Sequence, residues 1–241
     1  ILCLGIAGAS FYQFGPGPLT QHRYFARNGL AVPIPQRWFE LVSRRNPKTE
    51  THAFHNRAGV VIGLETSLES RPVDLENATS QFIEIDLASE LEFNETQGAR
   101  ILDPVKVSVG GYPANHIRTE IMTPKTSQRS DYYIIVRGYY RYILSLSSPL
   151  WLTDDYAPIL DKVLEQTRVV EPDILQAAHV AVTESSNPAT QAHLAQALIL
   201  AGETEAGWKT LERAMTKWPG AGEPTAVAAK IHYAEQTQPE R

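Results

Sequence analysis

Hydrophobic positions change their period several times along the chain, and the changes divide it. From residue 28 to about residue 147 apolar and polar residues mostly alternate, the period of strands with one buried face. The stretch Asn28 to Trp38 reads as an edge strand closing in a turn, because Pro33 and Pro35 lack the amide donors that a central strand requires. Residues 50–56 and 59–67 read as a hairpin turned at Ala58-Gly59, with Val60, Val61, Ile62 and Leu64 in the second arm and Arg71-Pro72 as its stop. Over residues 74–92 the spacing becomes three and four. Leu75, Ala78, Phe82, Ile85, Ala88 and Leu91 then share one helical face, with Asp74 as the N-cap.

Alternation resumes at Val105, Val107 and Val109. A turn at Gly110-Gly111 leads into Tyr112, Ala114, His116 and Arg118. Asp131 to Arg137 and Tyr139 to Ser147 form a hairpin about Gly138, and Tyr140, Tyr142, Leu144 and Leu146 fall on one face of its second arm. A helix is expected over 154–168, burying Tyr156, Ile159, Leu160, Val163, Leu164 and Thr167 and capped by Thr153 or Asp154. Strands, helix, strands and helix joined by hairpins specify an α+β fold, an antiparallel sheet flanked by helices. The βαβαβ alternation of a doubly wound nucleotide fold is missing.

After Glu171-Pro172 the strand signal ends and alanine-rich helices begin. Asn187-Pro188 starts one that Gly202 ends, a second runs from Thr204 to Lys217 and stops at Pro219-Gly220, and Pro224 opens a third. The organisation read from the sequence is an anchor at 1–14, a linker at 15–27, an α+β domain at 28–171 and a helical region at 172–241.

The opening stretch is apolar and uncharged to Phe14, shorter than the roughly 20 residues that cross a bilayer. Three readings fit it: the end of a transmembrane helix, the rest of an uncleaved signal segment, or a buried core element. In the first, which the organisation above adopts, Leu2, Leu4 and Ile6 face lipid, while Phe11, Tyr12 and Phe14 meet the headgroups. Gly15-Pro16-Gly17-Pro18 cannot continue a helix and begins the linker.

Composition narrows the function. The 241 residues are 43% hydrophobic and 20% charged, values of an ordinary globular protein. The net charge of −5 and the scattered basic spots (Arg44-Arg45; Lys125, Arg129 and Arg137) give no stripe for nucleic acid, so no nucleic-acid partner is expected. The single Cys3 lies in the apolar stretch, which leaves neither a disulfide nor a thiolate metal site. His52 and His55, three apart on a strand, point to opposite faces and read as surface histidines. Asp154-Asp155 read as helix caps, and Glu84, Asp86 and Glu90 as a solvated face. No GxSxG, HExxH or phosphate-binding glycine loop occurs. Neither cofactor, metal nor catalytic residue is expected. The feature most open to function is the tyrosine group Tyr132, Tyr133, Tyr139, Tyr140 and Tyr142, which either fills space under the helices or forms a protein-contact patch; Trp208 and Trp218 are contact candidates beside it.

Two resemblances bear on this. The succession Val32-Pro33-Ile34-Pro35-Gln36-Arg37-Trp38, the mid-chain amphipathic helix, Val107-Ser108-Val109-Gly110-Gly111-Tyr112-Pro113-Ala114, Tyr139-Tyr140-Arg141-Tyr142-Ile143-Leu144-Ser145-Leu146-Ser147 and the helix with Tyr156, Leu160 and Leu164 resembles the PsbP/Mog1/DcrB-like family. That resemblance implies an α/β/α sandwich around an antiparallel sheet and a non-enzymatic role on a larger assembly, a photosynthetic one in the case of PsbP. It also implies the extracytoplasmic side for the part of the chain that follows the anchor. Residues 188–220 resemble one tetratricopeptide repeat through Leu194, Ala195, Leu198, Gly207, Leu211, Ala214 and Pro219, although Gln191 stands where that motif has tryptophan. The function expected is that of a non-catalytic, membrane-anchored accessory subunit whose partners are integral membrane subunits. The alternative is a cell-envelope ligand-binding protein, which requires a tyrosine-lined pocket between sheet and helices.

Overall fold

The computed structural model describes residues 19–46, 48–88, 99–122 and 127–236. The anchor residues Leu2, Leu4, Ile6, Phe11, Tyr12 and Phe14 lie outside them, as do Cys3 and Lys125. Among the described residues no helix is long and apolar enough to cross a membrane.

An antiparallel sheet forms the centre. Its strands are β3 (Phe39–Arg45), β4 (Thr49–His55), β5 (Val61–Leu68), β6 (Ala99–Ile101), β7 (Val105–Val109), β8 (Tyr112–Met122), β9 (Ser127–Arg137) and β10 (Tyr140–Pro149). They run in the order β3-β4-β5-β10-β9-β8-β6, and β7 shares with β6 the free side of β8. Strand alternation sends side chains of β10 to two cores. Tyr140, Tyr142, Leu144 and Leu146 enter the larger one, and Ile143 points through the sheet into a second with Ile117 and Ile134. Burying each large apolar side chain contributes about 1.5–3 kcal/mol. The sharing of Tyr142 and Leu144 between β5 and β9 therefore places much of the fold's stability on this strand.

One helical segment covers the second core. Helix α1 (Leu75–Gln81) is capped by Asp74, whose carboxylate accepts from Asn77 N at 3.0 Å. It continues as a π-helical turn, Phe82–Leu87. The wider π turn, closed by i→i+5 hydrogen bonds, shifts the register, so Phe82 and Leu87 are buried whereas Ile85 is exposed. The regular face expected through Ile85 is thus corrected. Leu91 lies outside the described residues.

The larger core lies under α2 (Thr153–Gln166), α3 (Asp173–Glu184) and a small sheet of β1 (Leu19–Ala26), β2 (Leu30–Pro35) and β11 (Arg168–Val169). Helices on both faces of an antiparallel sheet are the sandwich that the resemblance implies. Helix α2 buries Tyr156, Ile159, Leu160 and Val163 as expected. Neither Thr153 nor Asp154 caps it: Leu152 is the cap residue and no side chain bonds there, while Asp154 and Asp155 sit in the first turn.

Two further differences concern the start of the chain. Part of the segment read as linker, Leu19–Ala26, is strand β1. Strand β2 is the centre of its sheet, not an edge. Its prolines are tolerated because β11 pairs only with Leu30 and Ala31, leaving Pro33 and Pro35 with β1 alone.

Three helices complete the chain: α4 (Pro188–Leu200), α5 (Thr204–Lys217) and α6 (Gly222–Gln236). Asn187 caps α4 through a reciprocal pair with Thr190, and Pro188 occupies its first turn. Gly207 lets α5 approach α4, since a Cβ there would overlap Ile199 and crowd the Ala195 carbonyl. The helices are not packed apart from the sheet, because Leu175, Ala178, Leu194, Ala197 and Leu198 share its larger core.

Candidate functional site

The place where the sheet meets the helices is built on the β9–β10 turn. Gly138 has a φ of 59° and touches Gly202, the residue that follows α4; a Cβ on Gly138 would overlap Gly202 N and crowd Leu200 O. Tyr139 N donates to Leu200 O at 2.9 Å, Val73 N donates to Gly138 O at 2.8 Å and Glu69 N donates to Tyr139 O at 2.8 Å. Beside them Arg137 donates from Nε to Ala201 O (3.0 Å) and from Nη1 to Val170 O (2.7 Å), pairs with Glu203 at 3.2 Å and lies over the Tyr112 ring. A planar guanidinium suits such a fork, having donors in fixed directions.

This turn delivers the Tyr139 ring into a third core with Ala195, Ile199, Leu211 and Ile231. Along that contact runs a groove. Its apolar stretch encloses about 300 Å³ over Leu68, Tyr139, Ile199, Leu200 and Ile231. A polar stretch of about 630 Å³ continues past Arg71, Asp74, Gln81 and Arg141. Glu69, Ser70, Lys230 and Ala234 line both.

The structure separates the tyrosines named from the sequence. Tyr133, Tyr139, Tyr140 and Tyr142 are buried, and only Tyr132 is half-exposed, against Phe82 on the α1 side. Four of the five are therefore core residues rather than a presented contact face. Burial pushes the Tyr133 and Tyr140 phenols up to about 12 and raises Tyr142 as well, so none is poised for proton transfer near neutrality. The Trp208 and His232 rings lie 4.6 Å apart and tilted by 31°, joining α5 to α6, and Lys217 lies over Trp218. Both tryptophans are half-buried.

Two polar clusters escaped the sequence reading. His52 is 1% exposed, not a surface histidine. Its Nδ1 lies 2.6 Å from Glu40 and its Nε2 3.0 Å from Glu50. Glu50, equally buried, also pairs with Arg45 at 2.9 Å and accepts from Arg27 N at 2.8 Å. The alternation of Glu50, His52 and Phe54 toward one face was the available signal. The second cluster surrounds Asp131, which meets His116 (2.6 Å), Arg118 (2.8 Å) and Arg129 (3.0 Å). Burial alone would raise its carboxyl; the bonds from His116 and Arg118 and the charges of Arg129 and Arg118 outweigh that and hold it at about 2. Tyr133 stacks on His116 at 4.6 Å. Among the described residues no group of three or more His, Cys, Asp or Glu could hold a metal ion.

No protein-family model and no curated protein matches the chain. Among solved structures it is similar to cyanobacterial PsbP from Synechocystis, at 13% identity over 61% of this chain and 91% of that one, with a TM-score of 0.49. It is similar to LpqN of Mycobacterium tuberculosis, a protein involved in cell envelope biogenesis, at 16% identity over 63% of this chain and 91% of that one, with a TM-score of 0.38. A Bacteroides thetaiotaomicron protein matches 92% of this chain and 78% of its own at 10% identity, with a TM-score of 0.41. No family assignment follows from likenesses at these identities.

Proposed function

We propose that this chain is a non-catalytic accessory protein that binds a larger membrane assembly and is held at the membrane by its N-terminal apolar stretch. The observation that carries the reading is the junction of Arg137, Gly138 and Tyr139 with the α4–α5 turn. It fastens a tetratricopeptide-like helical pair to a sandwich domain, giving one body with two kinds of surface. The side chains with chemical potential are engaged in holding that body together: His52 and Glu50 in the β3–β4 cluster, His116 and Asp131 across β8 and β9, Arg137 at the junction. Meanwhile Trp151, Ile174, Val180 and Tyr233 keep apolar surface exposed on the helical side. Integral membrane subunits are the partners this reading names, those of a photosynthetic complex among them, on the extracytoplasmic side.

The test is affinity isolation of the full chain in mild detergent, with a shorter chain beginning at Leu19 as the control. That control keeps every described element. The full chain is expected to bring integral membrane proteins in fixed stoichiometry, and the shorter one to lose or weaken them. Recovery of both chains alone overturns the proposal.

A further inference from the structure

We infer that the apolar stretch of the groove beside Tyr139 binds a single-chain carboxylate amphiphile, its acyl chain over Ile199 and Ile231 and its carboxylate at Lys48 and Lys230. The inference stands apart from the accessory role, and neither needs the other. Three observations carry it. The floor is made by Leu68, Tyr139, Ile199, Leu200 and Ile231, and its volume of about 300 Å³ lies within the range of small-ligand pockets. An acyl chain there removes apolar surface from water on both sides of the contact.

The second observation is charge. The carboxylates on the groove are already engaged: Glu69 accepts from Ser67 at 2.7 Å and lies 3.6 Å from Arg141, and Asp74 caps α1. The exposed cations Lys48 and Lys230, and Arg71 further along, have no carboxylate within ion-pair distance among the described residues. Two uncommitted ammonium groups at the lip of a low-dielectric trough set up a positive potential where a ligand's head would lie. The third observation separates an amphiphile from a peptide. Strand β5 is paired on both sides by β4 and β10, and β10 by β5 and β9, so the groove offers no strand edge for a peptide main chain.

The experiment titrates the full chain with dodecanoate, dodecanol and dodecyltrimethylammonium, each below its micelle concentration, by calorimetry and amide NMR. Dodecanoate is expected to saturate a single site and to shift amides at Leu68–Ser70, Tyr139, Ile199 and Ile231. Its affinity is expected to exceed that of dodecanol about ten-fold, and Lys48→Glu with Lys230→Glu to abolish that advantage while leaving dodecanol binding unchanged. Both lysines are exposed, so the double variant keeps the fold. Absence of saturation, equal binding of the three probes with no effect of charge reversal, or shifts at other elements each overturns the inference.

Discussion

Asp131 shows at the scale of one residue how the interior handles charge. Its folded carboxyl titrates near 2, below the ordinary aspartate value, so its stabilising contribution is complete above about pH 4 and is lost as the pH falls toward 2. The contribution is on the order of 2 kcal/mol. Urea unfolding of the wild type and of Asp131→Asn should therefore differ by about 2 kcal/mol at pH 6 and converge near pH 2; a gap independent of pH would contradict this account. The Glu50–His52 pair makes a second case. Glu50→Ala takes the carboxylate from His52 Nε2 and Arg27 N and should cost about 3–5 kcal/mol, while replacing Glu50 and His52 together by Leu and Phe should cost less than the two single changes added. Additive costs would show the pair to be uncoupled. Neither cluster was read from the sequence: the shared face of Glu50, His52 and Phe54 was visible, but polar residues alternating on a strand read as the wet face. Here that face meets the β1–β2 turn, where Arg27 N reaches Glu50 and Asn28 bonds Thr66, a contact 23 and 38 residues away in the chain.

Among elements, those whose period is unbroken were legible and those that break it were not. Strand β10, α2 and the three helices α4, α5 and α6 follow from alternation, helical spacing and the Pro and Gly residues that start and stop helices. Strand β3 was missed because it lies at the sheet edge, mostly exposed on both faces and bulged between Glu40 and Val42, with no apolar stripe to announce it. The π turn was missed because nothing in a sequence of suitable helix formers marks one added residue per turn. It makes a sharp prediction. Leu87→Ala should cost about 2–5 kcal/mol, whereas Ile85→Ala should stay within about 0.5 kcal/mol. Denaturant midpoints of the two variants decide it, and a reversed order would restore the regular helical register.

At the scale of the whole molecule the fold depends on one turn that the sequence located and could not dock. Gly138 was legible as a hairpin turn; its contact with Gly202 was not, since the two are brought together only by the packing of α4 on the sheet. Of the two readings open for the tyrosines, burial of Tyr133, Tyr139, Tyr140 and Tyr142 favours the filling of space under the helices, and alternation alone could not choose between them. Gly138→Ala should cost about 3 kcal/mol or more by forcing the α4–α5 turn away. Gly220 also has a positive φ, 97°, but an added Cβ there would meet nothing within 4 Å, so Gly220→Ala should cost about 1–2 kcal/mol from backbone strain alone. Faster amide exchange across α4–α6 in the first variant and not the second would place the loss at the junction; equal exchange would contradict it.

The proposed binding to a membrane assembly is tested by the size at which the native chain migrates when membranes are extracted in mild detergent and separated on a sedimentation gradient. The chain is expected to travel with integral membrane subunits in one large species. Migration of the whole population as a free single chain would contradict it.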